Sequence, residues 1–193
     1  MDLTEGTLKE KTNRAKKTML LFGIVSLVMT FAGLTSAYIV SSTRADWLHD
    51  FRLPSAFTMS LMLIIVSSIT IIMAKRSVKE EKQAMASAYL LLTLVLGIAF
   101  IFSQVYGFSQ IIDSGYNFTG PTSNVTMSYV YVIAFVHIVH VIAGLICLLI
   151  VIYNHFKQRY NSQNMLGLEL AATFWHFIDI LWIYLFLFLY FNT

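Results

Sequence analysis

Five ionisable side chains stand inside long apolar runs of this 193-residue chain, at spacings that let them meet. His137 and His140 are three apart and share one face of a helix. Glu169, His176 and Asp179 follow at spacings of seven and three, again on one face. Three kinds of chemistry suit such groups. A metal centre needs three or four well-placed His, Cys, Asp or Glu ligands. The usual di-iron bundle pattern, paired Glu-x-x-His, is absent. A haem between His140 and His176 would use an axial imidazole pair, but no glycine-lined groove accompanies either residue. In the third arrangement the imidazoles pair with Asp179 and Glu169 and fix two helices in register. The residues favour that third arrangement, so no catalytic, cofactor-binding or metal-ligating residue is expected, and all five act as structural or lipid-facing polar anchors. Cys147 is the only cysteine, which removes thiolate metal clusters and internal disulfides.

Such anchors must be held by elements that live in lipid. Charged residues make up 12% of the chain, where soluble domains carry about 25%. The apolar fraction is 58%, more than a soluble fold of this length could bury. No Asp, Glu, Lys or Arg occurs from Thr18 to Thr43, from Leu53 to Ala74, from Gln83 to Ile112, or from Ser114 to Phe156. A transmembrane helix needs about 20 apolar residues, so each run holds one. The front of the fourth, Gly115 to Asn124, is turn chemistry. A fifth apolar segment carries Glu169 and Asp179. The expected fold is an all-α integral membrane protein, one membrane domain with helices near 18–42, 54–74, 84–112, 126–154 and 168–191.

An ionisable group at mid-bilayer costs about 2.5–3.5 kcal/mol and so calls for a partner or a cavity. At 1.5 Å per residue, Asp179 lies roughly 16 Å into the fifth span and His140 roughly 20 Å into the antiparallel fourth, so the two polar faces can meet near the midplane. Gln104 is a further buried amide. Gly33-x-x-x-Ala37 and Ala84-x-x-x-Ala88 are small-residue pairs suited to close helix approach.

Eleven of the 13 basic residues fall on one side of a five-span topology: Lys9, Lys11, Arg14, Lys16 and Lys17 in the N-terminal arm, Lys75, Arg76, Lys79 and Lys82 between the second and third spans, and Lys157 and Arg159 between the fourth and fifth. The other side has Arg44 and Arg52. Positive-inside bias places the N-terminus in the cytoplasm and the C-terminus in the periplasm. The basic balance is therefore a topology signal, and no nucleic-acid partner is expected.

The segment Gly167-Leu-Glu169-Leu-Ala-Ala-Thr-Phe-Trp175-His176-Phe-Ile-Asp179-Ile-Leu-Trp182 resembles the last helix of subunit III of haem–copper oxidases, and Val136-His137-Ile-Val-His140-Val-Ile-Ala-Gly144 resembles the helix before it. Leu34-Thr-Ser-Ala37-Tyr38-Ile-Val is similar to the end of the first helix the family shares, and Leu96-Gly97 with Gln104 to the helix in between. The length fits the short, five-helix bacterial form. One departure stands out: where the family usually has a buried Glu in a Ser-Glu-Val context, this chain has Ser26-Leu27-Val28. Any role that needs that carboxylate is not carried over.

The resemblance implies a non-catalytic subunit of a proton-pumping terminal oxidase that reduces oxygen to water, in the bacterial inner membrane. It implies haem and copper in partner subunits and none in this chain, bound phospholipid, and packing beside the catalytic subunit I and other oxidase subunits, with a larger respiratory supercomplex compatible. Two other readings stay open: a similar accessory of a quinol oxidase or nitric-oxide reductase, and a small membrane haem or metal carrier.

Overall fold

The structure, a computed structural model, describes residues 7–48, 53–118, 120, 123–160 and 165–192. Arg52, expected on the outer side, and Thr119, Pro121 and Thr122 of the outer turn lie outside the described residues. Five helices make up the fold: α1 (Leu8–Ser41), α2 (Ser55–Lys79), α3 (Gln83–Asp113), α4 (Val125–Phe156) and α5 (Leu166–Asn192). Each is long and apolar enough to cross a membrane.

The helix ends follow local chemistry. Thr7 and Glu10 form a capping box, the Glu10 carboxylate accepting from the Thr7 N–H at 2.8 Å, so α1 starts at Leu8. The basic arm is thus helical, and α1 begins well before the span expected from residue 18. Asn124 caps α4 by accepting from the Thr126 N–H at 2.8 Å. Glu80, Glu81 and Lys82 form the tight turn between α2 and α3, with Glu81 at φ +60° and the Lys82 N–H donating to the Ser77 carbonyl.

Helices α2, α3, α4 and α5 close a ring in which each packs against the next and α5 returns to α2. α1 lies outside that ring, against α4 and α5 alone. Although consecutive in the chain, α1 and α2 never come within 8 Å of each other between Cα atoms. Large apolar side chains such as Phe22, Met29, Phe102, Phe135 and Ile180 point outward, as a hydrocarbon solvent allows.

The small-residue pairs do not draw these five helices together. A Cβ added at Gly33 would meet nothing within 4 Å, and Ala84 and Ala88 are exposed. Close approach is made elsewhere, at Gly97 and Gly144.

At one end of the bundle α1 is held by hydrogen bonds and rings. Tyr38 is fully buried, 4.8 Å from Trp47 and 5.3 Å from Phe188 between ring centres, and its hydroxyl donates to the Asn192 carbonyl at 2.9 Å. Ser41 and Tyr129 share a hydrogen bond of 2.8 Å. The connection after α1 is tied to α4 through the Leu48 N–H, which donates to the Thr126 hydroxyl at 3.0 Å.

Candidate functional site

Trp175, His176 and Trp182 of α5 make their hydrogen bonds to α2 rather than to α4. Trp175 comes first because its indole fills the space that two glycines leave: a Cβ on Gly97 would lie 2.7 Å from the ring, and one on Gly144 3.2 Å from it. A methyl at Gly97 would displace that ring, and one at Gly144 would press on it. Its indole N–H donates to the Ser67 hydroxyl at 2.9 Å. One side chain of α5 thereby touches α2, α3 and α4.

Trp182 repeats the arrangement two turns on. Its N–H donates to the Ser60 hydroxyl at 3.1 Å, which also accepts from the Gln104 amide at 2.7 Å and itself donates to the Phe57 carbonyl. Ser60 and Ser67 are seven residues apart, as are Trp175 and Trp182, so the pairs meet in register. Below them Thr70 and Thr93 join α2 to α3 at 2.8 Å.

His137 stacks on Trp182, 4.9 Å between ring centres and 27° between planes, with Phe100 and Phe31 edge-on at 5.8 and 6.2 Å. It is fully buried, and neither ring nitrogen has a hydrogen-bond partner. His140 is half-buried; its Nδ1–H donates to the Val136 carbonyl of its own helix at 2.7 Å, and its ring meets Phe31 of α1. His176 shares a 2.7 Å hydrogen bond with Ser68 of α2. Asp179 is 2% exposed; neither carboxyl oxygen has a partner within hydrogen-bond distance, and Ser68 is its polar neighbour. Glu169 lies near the surface, 3.8 Å from the Lys17 amine of α1.

The expected pairing of imidazoles with Asp179 and Glu169 is therefore corrected. His176 sits about 100° round α5 from Trp175, a direction that faces α2, while α4 meets α5 through Gly144 and the His137 ring. Trp175, His176 and Trp182 take serine partners on α2, and the two carboxylates are not brought together with His137 or His140. Among the described residues no group of three or more His, Cys, Asp or Glu side chains could hold a metal ion.

Some contacting residues were not singled out from sequence: Ser60, Ser67, Ser68, and His155, whose Nε2 is 2.9 Å from the Ser87 hydroxyl. The seven-residue spacing of Ser60 and Ser67, opposite that of the tryptophans, is the signal that could have found two of them.

The site is thus one of support: indoles, serines and close-packed glycines hold helices at fixed distances, and the two carboxylates of α5 lie apart from the imidazoles of α4. That defines an all-helical membrane subunit whose interior is given to packing. The cytochrome c oxidase subunit III family matches residues 3–193, and the chain belongs to it. It is a non-catalytic subunit of a haem–copper oxidase complex and a multi-pass membrane protein, of the inner membrane in bacteria. It is 29% identical to cytochrome c oxidase subunit 3 of Thermostichus vulcanus, over 90% of this chain and 86% of the relative. It is 28% identical to cytochrome bo(3) ubiquinol oxidase subunit 3 of Buchnera aphidicola, over 95% and 90%. A probable quinol oxidase subunit 3 of Staphylococcus aureus is 30% identical, over 70% and 66%.

Proposed function

We propose that the chain packs beside the catalytic subunit I of its oxidase, stabilises it during turnover, binds phospholipid, and shapes access of oxygen or protons. Haem and copper then belong to the partner subunits. The observation that carries this reading is the ring of α2 to α5, in which tryptophans, serines and glycines fix the helices and leave the outer faces for neighbours. His137, His140, Glu169, His176 and Asp179 serve as polar anchors: His176 and Glu169 through Ser68 and Lys17, His140 through its own helix and Phe31, His137 by stacking, and Asp179 as an enclosed carboxyl. The N-terminus lies in the cytoplasm and the C-terminus in the periplasm, because the basic arm, the α2–α3 turn and the α4–α5 connection share one end of the bundle.

The reading is tested by tagging this chain and purifying it from membranes in mild detergent. A catalytic haem–copper subunit is expected in stoichiometric amount, with faster loss of activity during turnover when this chain is removed. Relatives named for cytochrome c oxidase and for quinol oxidase are about equally similar, so the donor is read by supplying the purified complex with each. Iron or copper bound stoichiometrically to this chain alone, seen in its absorption spectrum, would overturn the reading in favour of a haem or metal carrier. Copurification with a nitric-oxide reductase would move it to another enzyme.

A further inference from the structure

Because α1 and α2 stay apart while both pack on α5, a basic groove opens between them at the end holding the N-terminus of α1. It widens there into a cavity of about 580 Å³, lined by Lys9 and Lys17 of α1, by Lys75, Arg76 and Lys79 of α2, and by Glu169 of α5. Such a space is polar and roomy enough for water. Farther in, polar groups continue in single file. Ile72 is the deepest α2 residue of the cavity wall, and Ser68 stands about one turn beyond it. Ser68 shares its 2.7 Å hydrogen bond with His176, which is half-buried and within electrostatic reach of Lys75. Ser68 is also the polar neighbour of Asp179, the last group in the file. From Glu169 to Asp179 is ten residues along α5, or about 15 Å.

The file ends at Asp179. Past it lies a void too tight for a water molecule, walled by Ile64 of α2, Leu96 and Phe100 of α3 and Val141 of α4. None of those side chains can titrate, and the one hydroxyl beside them, Ser67, already accepts from the Trp175 indole. A carboxyl enclosed in this way and without a hydrogen-bond partner carries its proton, because a bare buried charge is far costlier.

From this geometry we infer that Asp179 is a proton-exchange site, trading its proton with cytoplasmic water through Ser68 and His176. Outward, the Asp179 O–H gives its proton to the Ser68 oxygen, the Ser68 O–H gives its own to His176 Nδ1, and the Nε2–H of the ring passes one to water in the cavity. Three bonds to hydrogen break and three form, no electron moves, and the carboxyl is left as carboxylate. Inward transfer reverses each step and starts from hydronium. The inference rests on the proposed role in proton access and names the groups that carry it.

The full chain in detergent is followed by time-resolved infrared spectroscopy, reading the carbonyl stretch of a protonated carboxyl. That band is expected in wild type at neutral pH and absent from Asp179→Asn; aspartate labelled with heavy carbon at its carboxyl assigns it should the variant not accumulate. Alkaline buffer should erase the band and a jump back to neutral should restore it. Ser68→Ala and His176→Phe should each slow the return about a hundredfold, the loss expected on removing a positioned proton carrier. Ser68→Thr, which keeps the hydroxyl, should restore the wild-type rate. Absence of the band at neutral pH, a band that ignores the jump, or a return equally fast in Ser68→Ala and His176→Phe would each overturn the inference. No partner subunit enters the measurement, so the proton site and the oxidase role can fail independently.

Discussion

Ser60 has one hydroxyl and three contacts for it, two accepted from Gln104 and Trp182 and one donated to Phe57. Ser60→Ala orphans two buried donors, whereas Ser67→Ala orphans one, the Trp175 N–H. A buried donor left unpaired costs about 1–3 kcal/mol, so Ser60→Ala should lower the thermal midpoint of the detergent-solubilised chain clearly more than Ser67→Ala. The enclosed carboxyl of Asp179 predicts the opposite. With no hydrogen bond to lose, Asp179→Leu, an apolar side chain of similar size, should leave the midpoint in the same melt unchanged or raise it. Gly97→Ala drives a methyl into the Trp175 ring and should cost about 1–3 kcal/mol, partly recovered by Trp175→Phe. Sequence singled out Glu169, His176 and Asp179 of α5 because ionisable groups in an apolar run stand out. It could not name their partners, because serines and tryptophans are common in such helices and only the rotation of α5 about its axis decides what they meet.

Among elements, the five spans were legible because charge is so costly in hydrocarbon that its absence marks each helix. The start of α1 was not, because the same charges that bound the span are compatible with helix outside it, and the capping pair Thr7 and Glu10 decides the matter. α1 packs on two neighbours only, so it should be the first helix to loosen. Amide exchange of the isolated chain in detergent is expected to be fastest in α1 and to slow there on assembly with partner subunits. The connection after α1 carries an exposed pair: the Arg44 guanidinium donates two hydrogen bonds to Asp46, at 2.8 and 3.0 Å, and holds that carboxyl below its ordinary range. A depressed acid value contributes stability above the unfolded-state value near pH 3.9, lost as pH falls through the lower folded value. The difference between wild type and Asp46→Asn in the melting of this connection should therefore be present at pH 7 and vanish in strong acid.

For the whole molecule, the charge asymmetry that could be read from sequence coincides with one end of the bundle, where the basic groove opens. Its vectorial sense is checked by replacing Cys147 with Ala and placing single cysteines at Lys11 and Asn192. An impermeant thiol reagent added to intact cells should label the Asn192 position and spare the Lys11 position; the reverse pattern inverts the topology. The ring closure of α5 on α2 was not legible in the same way, because helix neighbours depend on side-chain shape across turns, and nothing in the spacing of Gly97 and Gly144 says that they admit Trp175.

That closure has a consequence for biogenesis. The segment that completes the ring follows its three ring neighbours in the chain, so until it is made the notch framed by Gly97 and Gly144 stands empty and two serine hydroxyls wait for their indoles. Before then the earlier segments have no finished interior to settle into. Arrival of α5 closes the ring, and a chaperone or partner that greets the nascent polypeptide before then meets a different surface.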